Sequence, residues 1–144
     1  MPVYQNDTKA LPLLHEFGCL FSSIYHYKDI MGLPTTIEEL NSLWTASIMR
    51  GYINSNSDIV NYTGILALME LPLIYLDKHF PPSTPLYLTQ YRILCLYRST
   101  NGFHHFVVGN DKDNITFDPI FPYSRTAKAP ETIVDSLRLF TITQ

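Results

Sequence analysis

The sequence predicts an α+β fold, with N-terminal helices packed on a C-terminal antiparallel sheet. Three observations carry that expectation. Apolar residues recur at helical spacing before Pro72, and run in short strand-length blocks after it. The later blocks are joined by turn-rich segments such as Asp111-Lys112-Asp113-Asn114, which suit hairpins. No repeat, low-complexity tract or linker divides the 144 residues, so a single domain over residues 1–144 is expected.

Taken in order, Met1 to Leu14 reads as an irregular arm with a short strand near Val3, and His15 to Gly18 as a turn. Leu20, Phe21, Ile24, Tyr25 and Met31 then fall on one helical face, in a helix opened by Cys19 and ended by Gly32 and Pro34. Thr35 with Glu38, and Thr36 with Glu39, form two overlapping capping boxes. They introduce a second helix with Ile37, Leu40, Leu43 and Trp44 on one side, stopping near Gly51. A third helix is expected from Ile59 to Glu70, capped by Ser57 or Asp58.

After Pro72, strands are expected at Leu73–Leu76, Tyr91–Tyr97, His104–Val108 and Ile115–Asp118. The three prolines of Phe80–Pro85 mark a loop, as do Ser99–Gly102 and Pro119–Pro130. Thr132–Asp135 reads as a short helical turn and Leu137–Ile142 as a final strand.

Composition narrows the function classes. Apolar content of 46% with 16% charged residues describes a globular chain with a real core. A net charge of −3 with no basic block argues against nucleic acid as a partner. No apolar run reaches membrane-spanning length, and the N-terminus lacks a signal-peptide pattern, so a cytoplasmic protein with no membrane partner is expected. The two cysteines, Cys19 and Cys95, show no metal spacing and suit a reducing compartment. His104 and His105 are adjacent and point to opposite faces of a strand, which makes a poor metal site. No metal and no cofactor are expected.

Chemistry concentrates at three positions. A cysteine at a helix start sits in the positive field of unpaired N–H groups, which favours the nucleophilic thiolate. Cys19 has that placement, though a small buried apolar residue would occupy it equally well. A thiolate needs a base and a group that orients the base. Strand parity selects them. A hairpin symmetric about Lys112-Asp113 sets Asn110 opposite Ile115, Val108 opposite Phe117 and Val107 opposite Asp118. His105 then shares a face with Asp118, and His104 does not. Cys95, between Leu94 and Leu96, reads as an inert buried thiol.

With these residues in view, the chain resembles the papain-like cysteine peptidase superfamily, in particular the branch holding the bacteriocin-leader peptidases and their small stand-alone relatives. Gly18-Cys19 with Ser22 and Ser23 matches the nucleophile segment, and Pro34 to Asn41 with Gly51-Tyr52 matches the second helix and its exit. His105-Phe106-Val107-Val108-Gly109 matches the histidine strand, and Asp118-Pro119 the acidic element. The resemblance spans roughly Glu16 to Tyr123. It implies a papain-like fold and a Cys19, His105, Asp118 triad acting on a peptide or isopeptide bond of a peptide or protein substrate. One departure stands out. The family places a glutamine a few residues before its cysteine as an oxyanion donor, and Leu11 to Phe17 contains none. His15 and Gln5 are the candidates for that second donor. The alternatives are a weak or inactive papain-like binding module, and a thiol acyltransferase or deamidase.

Overall fold

The computed structural model describes residues 2–79, 93–98, 103–111, 114–119 and 132–142. The fold is α+β, with helices first and one antiparallel sheet after them. The helices are α1 (Pro12–Phe17), α2 (Cys19–Ile30), α3 (Ile37–Met49) and α4 (Tyr62–Leu68). The strands are β1 (Leu73–His79), β2 (Ile93–Arg98), β3 (Phe103–Asp111), β4 (Asn114–Phe117) and β5 (Thr132–Ile142).

Local chemistry explains the helix ends. Gly32 (φ +77°) and Gly51 (φ +76°) follow α2 and α3 in the left-handed region, where a side chain would be strained. Each supports a Schellman turn: Leu33 N–H donates to the Lys28 carbonyl, and Tyr52 N–H to the Ser47 carbonyl. Of the two capping boxes, α3 uses the one at Thr36, whose hydroxyl accepts from Glu39 N–H at 3.0 Å. The Glu39 side chain does not reach back. It accepts from the Tyr25 hydroxyl at 2.6 Å, and that hydroxyl in turn accepts from Thr36 N–H at 3.0 Å. Lys28 Nζ, 3.2 Å from the same Glu39 oxygen, completes a lock between α2 and α3.

Several expectations need correction. Pro12 does not interrupt the arm but starts α1, since its missing N–H costs nothing in a first turn. Val3 lies in no strand; the arm is irregular there. The cap of α4 is Asn61, whose Oδ1 accepts from Gly64 N–H at 2.8 Å, and the helix is shorter than Ile59–Glu70. Residues 132–135 form the start of β5, not a helical turn: Thr132-Ile133-Val134 is a β-branched run that pairs with β2. The loops expected at 80–85 and 99–102, and residues 120–130 of the one expected at Pro119–Pro130, lie outside the described residues, as do Tyr91 and Arg92.

The sheet order is β1-β5-β2-β3-β4. Consecutive hairpin pairing holds for β2, β3 and β4, whereas the last strand, β5, inserts between β1 and β2. The core lies between the helices and the sheet. Phe21, Ile24 and Tyr25 of α2, Leu40 and Trp44 of α3, and Ile65 of α4 are buried with Val108, Phe117 and Phe140 of the strands. Burying each such side chain contributes about 1.5–3 kcal/mol. No helix among the described residues is long and apolar enough to cross a membrane.

Candidate active site

The site begins where α1 and α2 meet end to end. Gly18 N–H donates to the Leu14 carbonyl at 2.8 Å, and Ser22 N–H donates to the Gly18 carbonyl at 2.8 Å. A Cβ at position 18 would fall 2.4 Å from the Leu14 oxygen, so the junction accepts only glycine without moving. Cys19 therefore opens α2 with its backbone N–H in the first turn, where such groups have no intrahelical acceptor. Its side chain is a half-buried free thiol. Ser23 Oγ lies 2.7 Å from the Cys19 carbonyl and 3.3 Å from that of Phe106, which fastens this turn to β3.

The histidine and the acid come from the β3–β4 hairpin. Val108 pairs with Phe117, as a turn symmetric about residues 112–113 requires. Ile115 pairs with Gly109 and not with Asn110, because the ladder is irregular on both sides of Gly109. That irregularity lies on the turn side of the Val108–Phe117 pair, so it leaves the position of Asp118 unchanged. His105 and Asp118 are both buried, and His105 Nε2 donates to Asp118 Oδ1 at 2.7 Å. The Cys19 side chain is close enough to the same ring to raise its pKa. With Nε2 held by Asp118, Nδ1 is the nitrogen left to face the thiol. Burial alone would lower the His105 pKa, but hydrogen bonds to Asp118 and Cys19 outweigh it and raise the pKa to about 9. The side chains of His104 and Cys95 lie outside the described ones.

The two oxyanion candidates have different surroundings. His15 is exposed on α1 and contributes its carbonyl, not its ring, to the site's scaffold. Gln5 is buried, because the N-terminal arm folds back: its N–H donates to the Pro119 carbonyl at 2.8 Å. Its Nε2 donates to the His15 carbonyl at 3.0 Å, while Oε1 is buried without a partner among the described residues. One glutamine thus ties the residue after Asp118 to α1, which includes His15–Phe17 where a turn was expected and runs into the Cys19 helix.

A cavity of about 210 Å³ adjoins Cys19. Its apolar walls include Phe21, Trp44, Ile59 and Phe106, and its polar lining includes Asp58 and Arg138. Arg138 Nε donates to the Tyr62 hydroxyl at 3.3 Å, and its guanidinium lies 5.1 Å from the centre of the Phe106 ring. Neither charged residue was legible as part of the site. Asp58 resembled a helix cap, and Arg138 an ordinary strand residue. A further imidazole, the half-buried His26 of α2, stacks on Phe117 with centroids 3.7 Å apart, and desolvation lowers its pKa to about 4. Among the described residues no three His, Cys, Asp or Glu side chains form a group that would hold a metal ion.

A family model described as "Protein of unknown function, DUF261" matches residues 1–142. The match covers nearly the whole chain, and the chain belongs to that family. No curated protein and no solved structure matches it.

Proposed function

We propose that this member of the DUF261 family is a cysteine-dependent hydrolase of papain-like architecture, related to the bacteriocin-leader peptidases, that cleaves a peptide or isopeptide bond. The observation that carries the reading is the linear relay of Cys19, His105 and Asp118. A free thiol at a helix start is close enough to an imidazole to raise its pKa, and a buried carboxylate lies 2.7 Å from Nε2 of the same ring. A pKa near 9 makes His105 the proton holder at neutral pH, which is what a thiolate–imidazolium pair requires.

The chemistry follows from that placement. The Cys19 sulfur attacks the carbonyl carbon, and the carbonyl oxygen becomes an oxyanion. Cys19 N–H, in the first turn of α2, is one donor to it. Gln5 is our candidate for the second donor: one Nε2 hydrogen is held by the His15 carbonyl, and an amide nitrogen carries a second. His105 gives its proton to the leaving amine as the C–N bond breaks, leaving a thioester. His105 then accepts a proton from water as that water attacks the thioester; the C–S bond breaks, the acid leaves, and the Cys19 thiolate and His105 imidazolium are restored. Asp118 holds the ring in place through both transfers.

The test is alkylation of the folded protein by iodoacetamide at neutral pH, read at Cys19 by mass spectrometry. Cys19 should react faster than it does in urea, and His105→Ala should remove the difference. Equal rates in the folded and unfolded chain, or no effect of His105→Ala, would overturn the proposal.

A further inference from the structure

The cavity beside Cys19 holds more than an apolar wall needs. The turn at 54–58 is fixed by its own first residue: Asn54 Oδ1 accepts from Asn56 N–H and Asp58 N–H, each at 3.0 Å. Ser57 is held there at φ +64°, a left-handed conformation that side chains adopt at a cost. The outcome is that Ser57 and Asp58 both line the cavity. The Asp58 carboxylate makes no hydrogen bond or ion pair among the described residues. Phe21, Trp44, Tyr62 and Phe106 line the same space, and aromatic rings attract cations through their negative π clouds. Arg138 is the opposing charge. It sits on the sheet side, bonded to Tyr62 and over the Phe106 ring, where its charge suits a carbonyl oxygen.

A carboxylate and a guanidinium in one small aromatic cavity select a dipolar group over a plain apolar one. We propose that this cavity receives an ammonium-bearing substrate residue, its cation at Asp58 and its carbonyl oxygen toward Arg138, so that cleavage falls beside a charged amine. The ammonium is that of a lysine side chain or of a free peptide N-terminus. The inference rests on the hydrolase reading and adds the substrate class to it.

The experiment compares charged thiol reagents at Cys19. Aminoethyl methanethiosulfonate (cationic) and sulfonatoethyl methanethiosulfonate (anionic) are reacted with the full chain, and modification of the Cys19 peptide is timed by mass spectrometry. The cation-to-anion rate ratio, normalised to free cysteine, should fall about fivefold in Asp58→Asn, the order expected for one partly screened charge a few ångströms away. Asp58→Glu should keep the ratio. Glu38→Gln, the same change in net charge at an exposed site outside the cavity lining, should leave it unaltered. An unchanged ratio in Asp58→Asn, or an equal fall in Glu38→Gln, overturns the proposal. Two peptidyl chloromethyl ketones identify the source of the amine. One carries lysine with a blocked N-terminus, and the other a free N-terminus without lysine. The source is whichever loses rate in Asp58→Asn, and loss by neither also overturns the proposal. Failure of the underlying hydrolase reading looks different: neutral iodoacetamide then reacts with Cys19 no faster in the folded chain than in urea, whatever the charge ratio.

Discussion

Two imidazoles are packed against one hairpin and meet opposite fates. His105 and His26 touch side chains that are neighbours in the chain, Asp118 and Phe117 respectively. Burial works against the charge on both rings. At His105 a carboxylate and a thiol reverse it, and the pKa stands at about 9. At His26 an aromatic face offers no acceptor, Nδ1 is buried without a partner among the described residues, and the pKa falls to about 4. The difference shows that depth alone does not tune a histidine here; the identity of the facing group does. The last residue of β4 and the residue after it deliver two different groups from consecutive positions.

The comparison breaks most sharply at Asp118. Asp118→Asn leaves His105 buried with a neutral neighbour, so its pKa should drop by more than a unit, read by NMR titration of the imidazole. Any turnover found for the protein should fall by about 10²-fold or more, since a general acid–base group would be lost from its working state. The His26 titration should not move. The reciprocal change is Phe117→Ala. It should cost about 3–5 kcal/mol in a urea melt, the usual range for a buried phenylalanine. His26 should rise from about 4 toward 6.5 while His105 stays near 9.

Stability against pH gives a subtler reading, because the two rings contribute with opposite sign. His105 has a folded pKa above its unfolded value of 6.5, so its contribution is complete below about pH 6.5 and is lost as pH rises through about 9. His26 has a folded pKa below 6.5, so its contribution is complete above about pH 6.5 and is lost as pH falls through about 4. Urea midpoints should therefore decline on both sides of neutrality. Asp118→Asn should flatten the alkaline side, and His26→Phe the acid side. The smallest effect belongs to a control away from both rings. Glu39→Gln weakens the bonds to Tyr25 and Lys28 and should cost about 1 kcal/mol, with neither histidine titration altered.

The His105 half of this contrast was legible before any coordinates, and the reasons are local; nothing in the sequence singled out His26. Helical spacing from Leu20 onward fixed the start of α2 at Cys19, and the symmetric turn fixed Val108 opposite Phe117. Those signals depend on period, which survives folding. What escaped depended on long-range contact. Pro12 has two readings, breaker and first-turn residue, and only the packing of α1 on α2 selects the second. Gln5 was named as a candidate donor, but the whole of α1 separates it from Cys19, so the folding-back of the arm that bonds it to the His15 carbonyl had no trace in spacing. Asp58 and Arg138 reach one cavity from a turn and from the last strand. The place of β5 between β1 and β2 follows from the fold of the whole chain, not from any one segment.

Gly18 has a consequence for anyone who reads this chain through a mutational library. Its backbone angles, φ −88° and ψ 20°, are open to every amino acid, and replacing such a glycine by alanine ordinarily stabilises a protein by about 0.4–1 kcal/mol. Here the new methyl group would meet the Leu14 carbonyl and side chain at about van der Waals overlap, with distances of 2.4 and 2.5 Å. The end-to-end junction would open and carry the first turn of α2 with it. Position 18 has no functional group to lose, yet its tolerance profile should track that of Cys19, so selection for activity would score a bare glycine as though it took part in the chemistry.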